Sequence, residues 1–137
     1  MRVLVPFDVA SPGERAARYA VSTFGPRGDT SITAVHLTEE GLAEEDKRPS
    51  EDAIASAIES FEDEYEVDVG LDVLIRTVEG DFTKEKVRRN ICDITDEVGA
   101  DTVVMGYEEK TFFDELLNES TAERILEESE APVVLVP

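Results

Sequence analysis

The sequence is short of several residues and patterns, and each shortage excludes a class of protein. Its 137 residues include a single cysteine, Cys92, which excludes an internal disulfide framework and a multi-cysteine metal site. No apolar run approaches the ~20 residues that a membrane-spanning helix requires. The first residues, MRVLVPFD, are typical of a strand and not of a signal peptide. We therefore expect a cytoplasmic protein.

Basic residues are also scarce, since 13 Lys and Arg stand against 33 Asp and Glu and give a net charge of −20. This balance argues against nucleic acid and membrane surfaces as partners, because both require basic patches on the protein. Only four of the 13 are lysines. An acidic, lysine-poor surface suits a salt-rich cytoplasm, where a Debye length of roughly 3 Å screens the self-repulsion. We expect a halophilic protein, and the alternative is an acidic face that binds a basic partner.

Hydrophobic residues make up 41% of the chain, which fits one domain over residues 1–137 with a real core. Apolar runs typical of strands alternate with patterns typical of helices. The predicted strands cover 2–7, 31–37, 71–79, 101–106 and 132–136. The predicted helices cover about 12–24, 51–65, 82–98 and 120–129, and an acidic loop covers 38–49.

Local signals support the helix boundaries. The tetrapeptide Ser11-Pro12-Gly13-Glu14 forms a capping box with proline at the first helical position. Ser50 is the predicted cap of the second helix, and Gly99 is the predicted end of the third.

The alternation of strands and helices predicts an α/β fold with an open five-stranded parallel sheet and helices on both faces. Right-handed crossovers make 3-2-1-4-5 the simplest strand order. Ligands of such sheets bind at the carboxyl ends of the strands where the order reverses, here strands 1 and 4. Asp8 and Gly106 follow or end those two strands, so we expect both at one crevice.

Four segments resemble the universal stress protein family, and together they cover nearly the whole chain. They are RVLVPFDVASPGERAARYA, AVHLTEE, VEGDFTKEKVRRNICDITDEVGADTVVMG and STAERILEESEAPVVLVP. The resemblance implies the same Rossmann-type sheet, similar to that of the adenine nucleotide alpha hydrolases. It also implies a homodimer formed through the last strand, at Val133, Val134, Leu135 and Val136, and ATP binding in some members.

The ATP-binding members of that family resemble one another in a motif of three glycines, the last followed by Ser or Thr. In this chain the motif falls without a gap on Gly106, Glu109, Glu119 and Ser120, so two glycines are glutamates. Glutamate restricts the backbone and adds negative charge. A carboxylate roughly 5 Å from a phosphate charge costs about 3 kcal/mol at an effective dielectric of about 20. We expect no ATP binding in the family manner and no cofactor; ATP with Mg²⁺ is the alternative, because the cation offsets the repulsion.

Each candidate residue also has a structural interpretation. The resemblance implies that Asp8 lies beside the ribose and phosphates of a bound nucleotide. Its structural interpretation is a polar residue that begins the loop after strand 1. Gly106 contacts ligand or permits a sharp turn. Ser120 opens the capping box Ser120-Thr121-Ala122-Glu123 and contacts phosphate only secondarily. The apolar residues of the segment 106–120 fold over the crevice or dock on the core: Phe112, Phe113, Leu116 and Leu117.

No residue pattern indicates catalysis or a metal site. His36 lies in an apolar strand without a catalytic companion, and Cys92 lies beside the inward face of a helix, so we interpret both as structural. We predict a non-enzymatic stress-response or regulatory protein. The alternatives are a nucleotide-binding protein with a divergent phosphate loop and an adenylate-handling α/β enzyme.

Overall fold

The computed structural model describes residues 1–7, 11–41, 50–106 and 128–137. The strands are β1 (Arg2–Pro6), β2 (Ser31–Glu39), β3 (Gly70–Val78), β4 (Thr102–Gly106) and β5 (Val133–Val136). The helices are α1 (Ser11–Phe24), α2 (Glu51–Tyr65) and α3 (Lys84–Val98), with a 3-10 turn at Gly25–Arg27. The helix predicted over about 120–129 falls almost wholly outside the described residues.

The five strands form one parallel sheet in the order β3-β2-β1-β4-β5, which confirms the predicted topology. β1 lies at the centre, with Val3 paired to Ile32 of β2 and to Thr102 of β4. The order reverses between β1 and β4. All carboxyl ends of the strands therefore lie along one edge of the sheet, which we call the carboxyl edge.

The core has two layers because side chains alternate across each strand. Val3, Val5 and Phe7 pack on one face with the apolar sides of α1 and α2. Leu4 lies on the other face in a cluster with α3 side chains such as Ile91. Helices therefore cover both faces, as predicted, and the central strands are buried on both sides.

Side-chain and backbone caps set the helix ends. The Ser50 hydroxyl accepts a hydrogen bond from the Ala53 amide at 3.2 Å, which confirms the predicted cap of α2. Thr83 caps α3 in the same way through the amide of Lys86, also at 3.2 Å. Gly99 ends α3 with a φ of 62°, a left-handed conformation that glycine adopts at little cost.

Several boundaries near the carboxyl edge differ from the prediction. β1 ends at Pro6 instead of residue 7, and α1 begins at Ser11, the residue predicted as its cap. β2 continues to Glu39 instead of ending at residue 37, because its ladder with β3 extends to the pair Glu39 and Val78. Thr38 and Glu39 thus belong to the sheet and not to the acidic loop.

The two edge strands, β3 and β5, each leave one large apolar side chain exposed. Ile75 of β3 and Leu135 of β5 are both 38% exposed. Beside the first, Arg76 makes a bidentate ion pair with Glu97 of α3, at 3.2 and 2.9 Å. No helix within the described ranges is long and apolar enough to cross a membrane.

Candidate ligand-binding site at the carboxyl edge

The reversal of strand order places the candidate site at the carboxyl ends of β1 and β4. Of the residues that the sequence predicts there, the structure describes one, Gly106. The other four lie outside the described residues: Asp8, Glu109, Glu119 and Ser120. The loop residues Phe112, Phe113, Leu116 and Leu117 lie outside them as well.

Gly106 is the last residue of β4 and is buried. It is still part of the ladder, paired with Val136 of β5. Its backbone therefore belongs to the sheet, and any turn begins after it. This position is compatible with both predicted roles, ligand contact and the start of a turn.

His36 joins the ends of β1 and β2. Its Nδ1 lies 3.2 Å from the carbonyl oxygen of Phe7, and the Phe7 amide donates to the carbonyl of Val35 at 2.8 Å. Because a carbonyl oxygen only accepts hydrogen bonds, this contact places the proton on Nδ1. The buried imidazole thus fixes the backbone just before Asp8, which agrees with the structural role expected from the sequence.

Thr38 is the buried polar residue closest to the end of β2. It is 4% exposed, and its hydroxyl has no hydrogen-bond partner among the residues that the structure describes. The alternation of side chains places it on the same face as Ile32 and Ala34, which pack with α1 and α2. It lies three residues beyond Val35, which pairs with Pro6 at the end of β1. Thr38 therefore belongs to the carboxyl edge.

The other buried threonines have partners, each a backbone carbonyl. Thr30 donates to Phe24 at 2.6 Å, Thr95 to Ile91 at 2.7 Å and Thr102 to Pro132 at 2.9 Å. A buried hydroxyl without a partner costs about 1–3 kcal/mol. Among the buried threonines of the described part of the chain, Thr38 is thus the exception.

Carboxylates surround the ends of β2 and β3. Glu39 and Glu40 are exposed, and a Glu40 oxygen accepts from the Gly80 amide at 2.9 Å. On the β3 side, Lys86 Nζ donates to the carbonyl of Glu79 at 2.8 Å. The Glu40 contact connects the two strand ends and holds a carboxylate at the rim, and the Lys86 contact joins α3 to the end of β3. An anionic ligand would meet a negative potential here.

The sequence pattern missed Thr38 because it placed this residue in a loop. The one signal available was its β-branched side chain directly after the run SITAVHL, which favours continuation of the strand. Neither its burial nor the state of its hydroxyl follows from that signal, since both depend on segments distant in the chain.

Cys92 packs beside the core on the α3 side and is partly buried. Burial raises the pKa of the thiol, and the nearby Glu128 carboxylate raises it further. The thiol form is therefore favoured over the reactive thiolate. Within the described ranges, no group of three or more His, Cys, Asp or Glu side chains is arranged to hold a metal ion.

An open five-stranded parallel sheet whose strand order reverses between β1 and β4, with helices on both faces, defines the general class of this α/β protein. The family model of the universal stress proteins matches residues 1–137. The chain therefore belongs to the universal stress protein family, as the resemblance predicted. No curated protein matches the sequence.

Solved structures similar to this chain carry the same fold. A universal stress protein from Archaeoglobus fulgidus matches with a TM-score of 0.71 and 20% identity, over 99% of this chain and 97% of its own. The A. fulgidus protein in complex with dAMP matches with 0.67 and 18%, over 99% and 96%. An Arabidopsis thaliana family protein with AMP bound matches with 0.58 and 19%, over 99% and 90%.

Proposed function

We propose that this chain is a non-enzymatic regulatory member of its family that does not bind ATP in the family manner. The observation that carries the proposal is the pair of glutamates, Glu109 and Glu119, at positions where the phosphate motif has glycine. Each removes a backbone approach that glycine allows and adds a negative charge. The carboxylates of Glu39 and Glu40 at the carboxyl edge support the same conclusion.

The magnitude of the effect is large enough to decide affinity. One carboxylate at roughly 5 Å from a phosphate charge costs about 3 kcal/mol at an effective dielectric of about 20. That cost corresponds to about two decades in the dissociation constant. High salt lowers the cost for exposed side chains, but it does not restore the lost backbone amides.

A second candidate is nucleotide binding through a divergent phosphate loop. Its support is that similar structures contain dAMP and AMP, and that Gly106 and Ser120 keep the spacing of the motif. A divalent cation between phosphate and carboxylate would reverse the sign of their interaction. Both ligands carry adenine and a single phosphate, so this candidate does not require a triphosphate cradle.

Calorimetric titration of ATP into the full chain in molar KCl, with and without Mg²⁺, separates the two candidates. We expect no heat of binding for the wild type. The double variant Glu109→Gly, Glu119→Gly should gain ATP affinity because it restores both glycines. Glu59→Gln and Asp93→Asn, two neutralised carboxylates on α2 and α3, form the matched control and should gain none.

Stoichiometric ATP binding by the wild type would overturn the proposal in favour of the second candidate. The same preparation, incubated with Mg²⁺-ATP, tests the non-enzymatic part of the proposal. Release of phosphate or pyrophosphate above the buffer rate, lost on removal of the protein, would instead support an adenylate-handling enzyme.

A further inference from the structure

The starting observation is the outer edge of β3. This strand lies at one side of the sheet, and its nine residues pair with β2 along their whole length. The other outer strand, β5, has only four residues. Within the described ranges, β3 therefore presents the longer sheet edge. Such an edge favours pairing with a further strand unless charges, a proline or a bulge prevent it.

The charge of β3 is balanced, although the chain has a net charge of −20. Asp72 and Arg76 are its two charged residues, and it contains no proline. By contrast, α2 carries six acidic residues and no basic one. A second copy of the chain would therefore be repelled at α2, but it meets no net charge at the edge of β3.

The backbone of β3 is arranged to accept another strand. The Gly70 amide donates to the carbonyl of Thr30 at 3.0 Å, so the backbone groups of Gly70 point toward β2. These groups alternate between the two sides of a strand. The amides and carbonyls of every second residue therefore point to the outer side: Leu71, Val73, Ile75 and Thr77.

The order of residues in β3 is self-complementary about Leu74. Antiparallel pairing of two copies, with Leu74 on the two-fold axis, places Asp72 opposite Arg76. The same pairing places Val73 opposite Ile75, which is 38% exposed. Both pairs occur twice, and each joins side chains of one face, because alternate residues share a face. Opposite charges and apolar β-branched residues are favourable cross-strand pairs.

Hydrogen bonding and charge together select this register. Val73 and Ile75 both have outward backbone groups, so they exchange two hydrogen bonds when they lie opposite each other. An axis at either of these residues would place Leu74 opposite a charged residue. An axis at Asp72 or Arg76 would place like charges opposite each other, which is destabilising. An axis between two residues would oppose outward to inward backbone groups.

We propose that the outer edge of β3 is a self-association surface, at which a second copy of this chain adds its own β3 antiparallel with Leu74 on the axis. The surface is distinct from β5 and lies at the opposite side of the sheet, so both can be used at once. Each cross-strand pair contributes little. The pairing through β3 therefore forms above the micromolar concentrations at which we expect the β5 dimer alone.

The test uses sedimentation velocity in molar KCl, from micromolar to millimolar protein, with the full chain carrying Leu135→Glu. That change blocks pairing through β5 and isolates the edge of β3. We expect a monomer at micromolar concentration and a dimer toward millimolar concentration. Adding Ile75→Glu should keep the chain monomeric throughout, because it places a charge in the centre of the apolar pairs.

A charge exchange tests the register. In the Leu135→Glu background, Asp72→Arg and Arg76→Asp each place like charges opposite each other. Each should weaken dimerisation by about tenfold, because every dimer contains two such pairs. An equimolar mixture of the two variants should dimerise like the parent, since both mixed pairs again join opposite charges.

The matched controls are Glu59→Arg on α2 and Arg89→Asp on α3, two exposed positions with the same changes of charge. In the same background, alone or mixed, they should dimerise like the parent. Arg76→Asp also removes the ion pair with Glu97, so urea unfolding followed by circular dichroism checks that this variant is folded. Recovery of dimerisation in the mixture gives a second check.

Three results would overturn the inference. A Leu135→Glu chain that stays monomeric up to millimolar concentration shows no pairing through β3. A dimer that is insensitive to Ile75→Glu forms through another surface. A mixture of Asp72→Arg and Arg76→Asp that dimerises no better than either variant alone excludes the register centred on Leu74.

Discussion

Nδ1 of His36 lies 3.2 Å from the carbonyl oxygen of Phe7, and this contact connects two strand ends that are 29 residues apart in the chain. The contact lies just beyond Pro6, the last residue of β1. The backbone at the start of the candidate site is therefore held by a side chain from the neighbouring strand. Rigid placement of this kind is what a binding site on strand ends requires.

Replacing His36 by leucine should lower the free energy of unfolding by about 1–3 kcal/mol, because the Phe7 carbonyl loses its buried partner. Urea titration followed by circular dichroism measures the change. The control is Glu39→Gln on the same strand, which is exposed and should leave stability within about 0.5 kcal/mol of wild type. Equal stability of His36→Leu and wild type would show that the contact is dispensable.

Leu135→Glu should convert the homodimer that we propose through β5 into a monomer. Leu135 is a large exposed apolar side chain on the edge strand β5. Exposed apolar edge strands favour pairing with a second chain. Sedimentation velocity in molar KCl at micromolar protein measures the state. The matched control is Ile75→Glu, equally exposed on the opposite edge strand, and it should remain dimeric.

Two results would contradict the β5 interface. Wild-type protein that sediments as a monomer would exclude the dimer under these conditions. Dissociation by Ile75→Glu with no effect of Leu135→Glu would place the contact on β3.

Stability should rise with KCl concentration, because the net charge of −20 makes the folded chain repel itself at low ionic strength. Thermal unfolding across a KCl series measures this dependence. The triple variant Glu59→Gln, Asp63→Asn, Asp93→Asn removes exposed carboxylates on α2 and α3 and should weaken the dependence. A wild-type thermal unfolding midpoint that does not change with KCl concentration would refute the halophilic interpretation.

Glu97→Gln should make stability less sensitive to acid. The hydrogen bond from Arg76 holds the pKa of the Glu97 carboxyl below its ordinary value. Its contribution to stability is therefore present above the unfolded-state pKa of about 4.3 and is lost as the pH falls through the lower folded-state pKa. Urea midpoints across the acid range should converge for variant and wild type toward low pH.

The control for this prediction is Glu59→Gln on α2. Its urea midpoint should change with pH in parallel with that of the wild type across the same range. Added KCl should reduce the difference between Glu97→Gln and wild type, since the ion pair is exposed and screened. A difference that grows as the pH falls would have the wrong sign and would count against the pair.

The sequence predicted the five strands, the three helices in the described ranges and the strand order. These features follow from short-range periodicity, from caps such as Ser50 and Gly99, and from the handedness of crossovers. The prediction of helices on both faces was also correct, because nearly all residues of β1 and β4 are apolar. The errors lie at strand ends, where the partner strand and not the local sequence decides how far a ladder continues.

The candidate site was predictable only in part. Its location followed from topology, and the substitution of Glu109 and Glu119 for glycine followed from the family motif. The pairing of His36 with Phe7 did not follow from the sequence, and neither did the lack of a partner for the Thr38 hydroxyl among the described residues, because both depend on distances across the sheet.

The sequence by itself determined the fold class, the family and the acidic character of this protein, because each is a property of residue type and spacing. Only the tertiary structure decided which polar groups are satisfied. Thr30, Thr95, Thr102 and Thr38 are the same residue type, and three of them find a backbone carbonyl within reach. Among the described residues Thr38 has no such partner, and this difference between identical residue types is set by what folding brings near each hydroxyl.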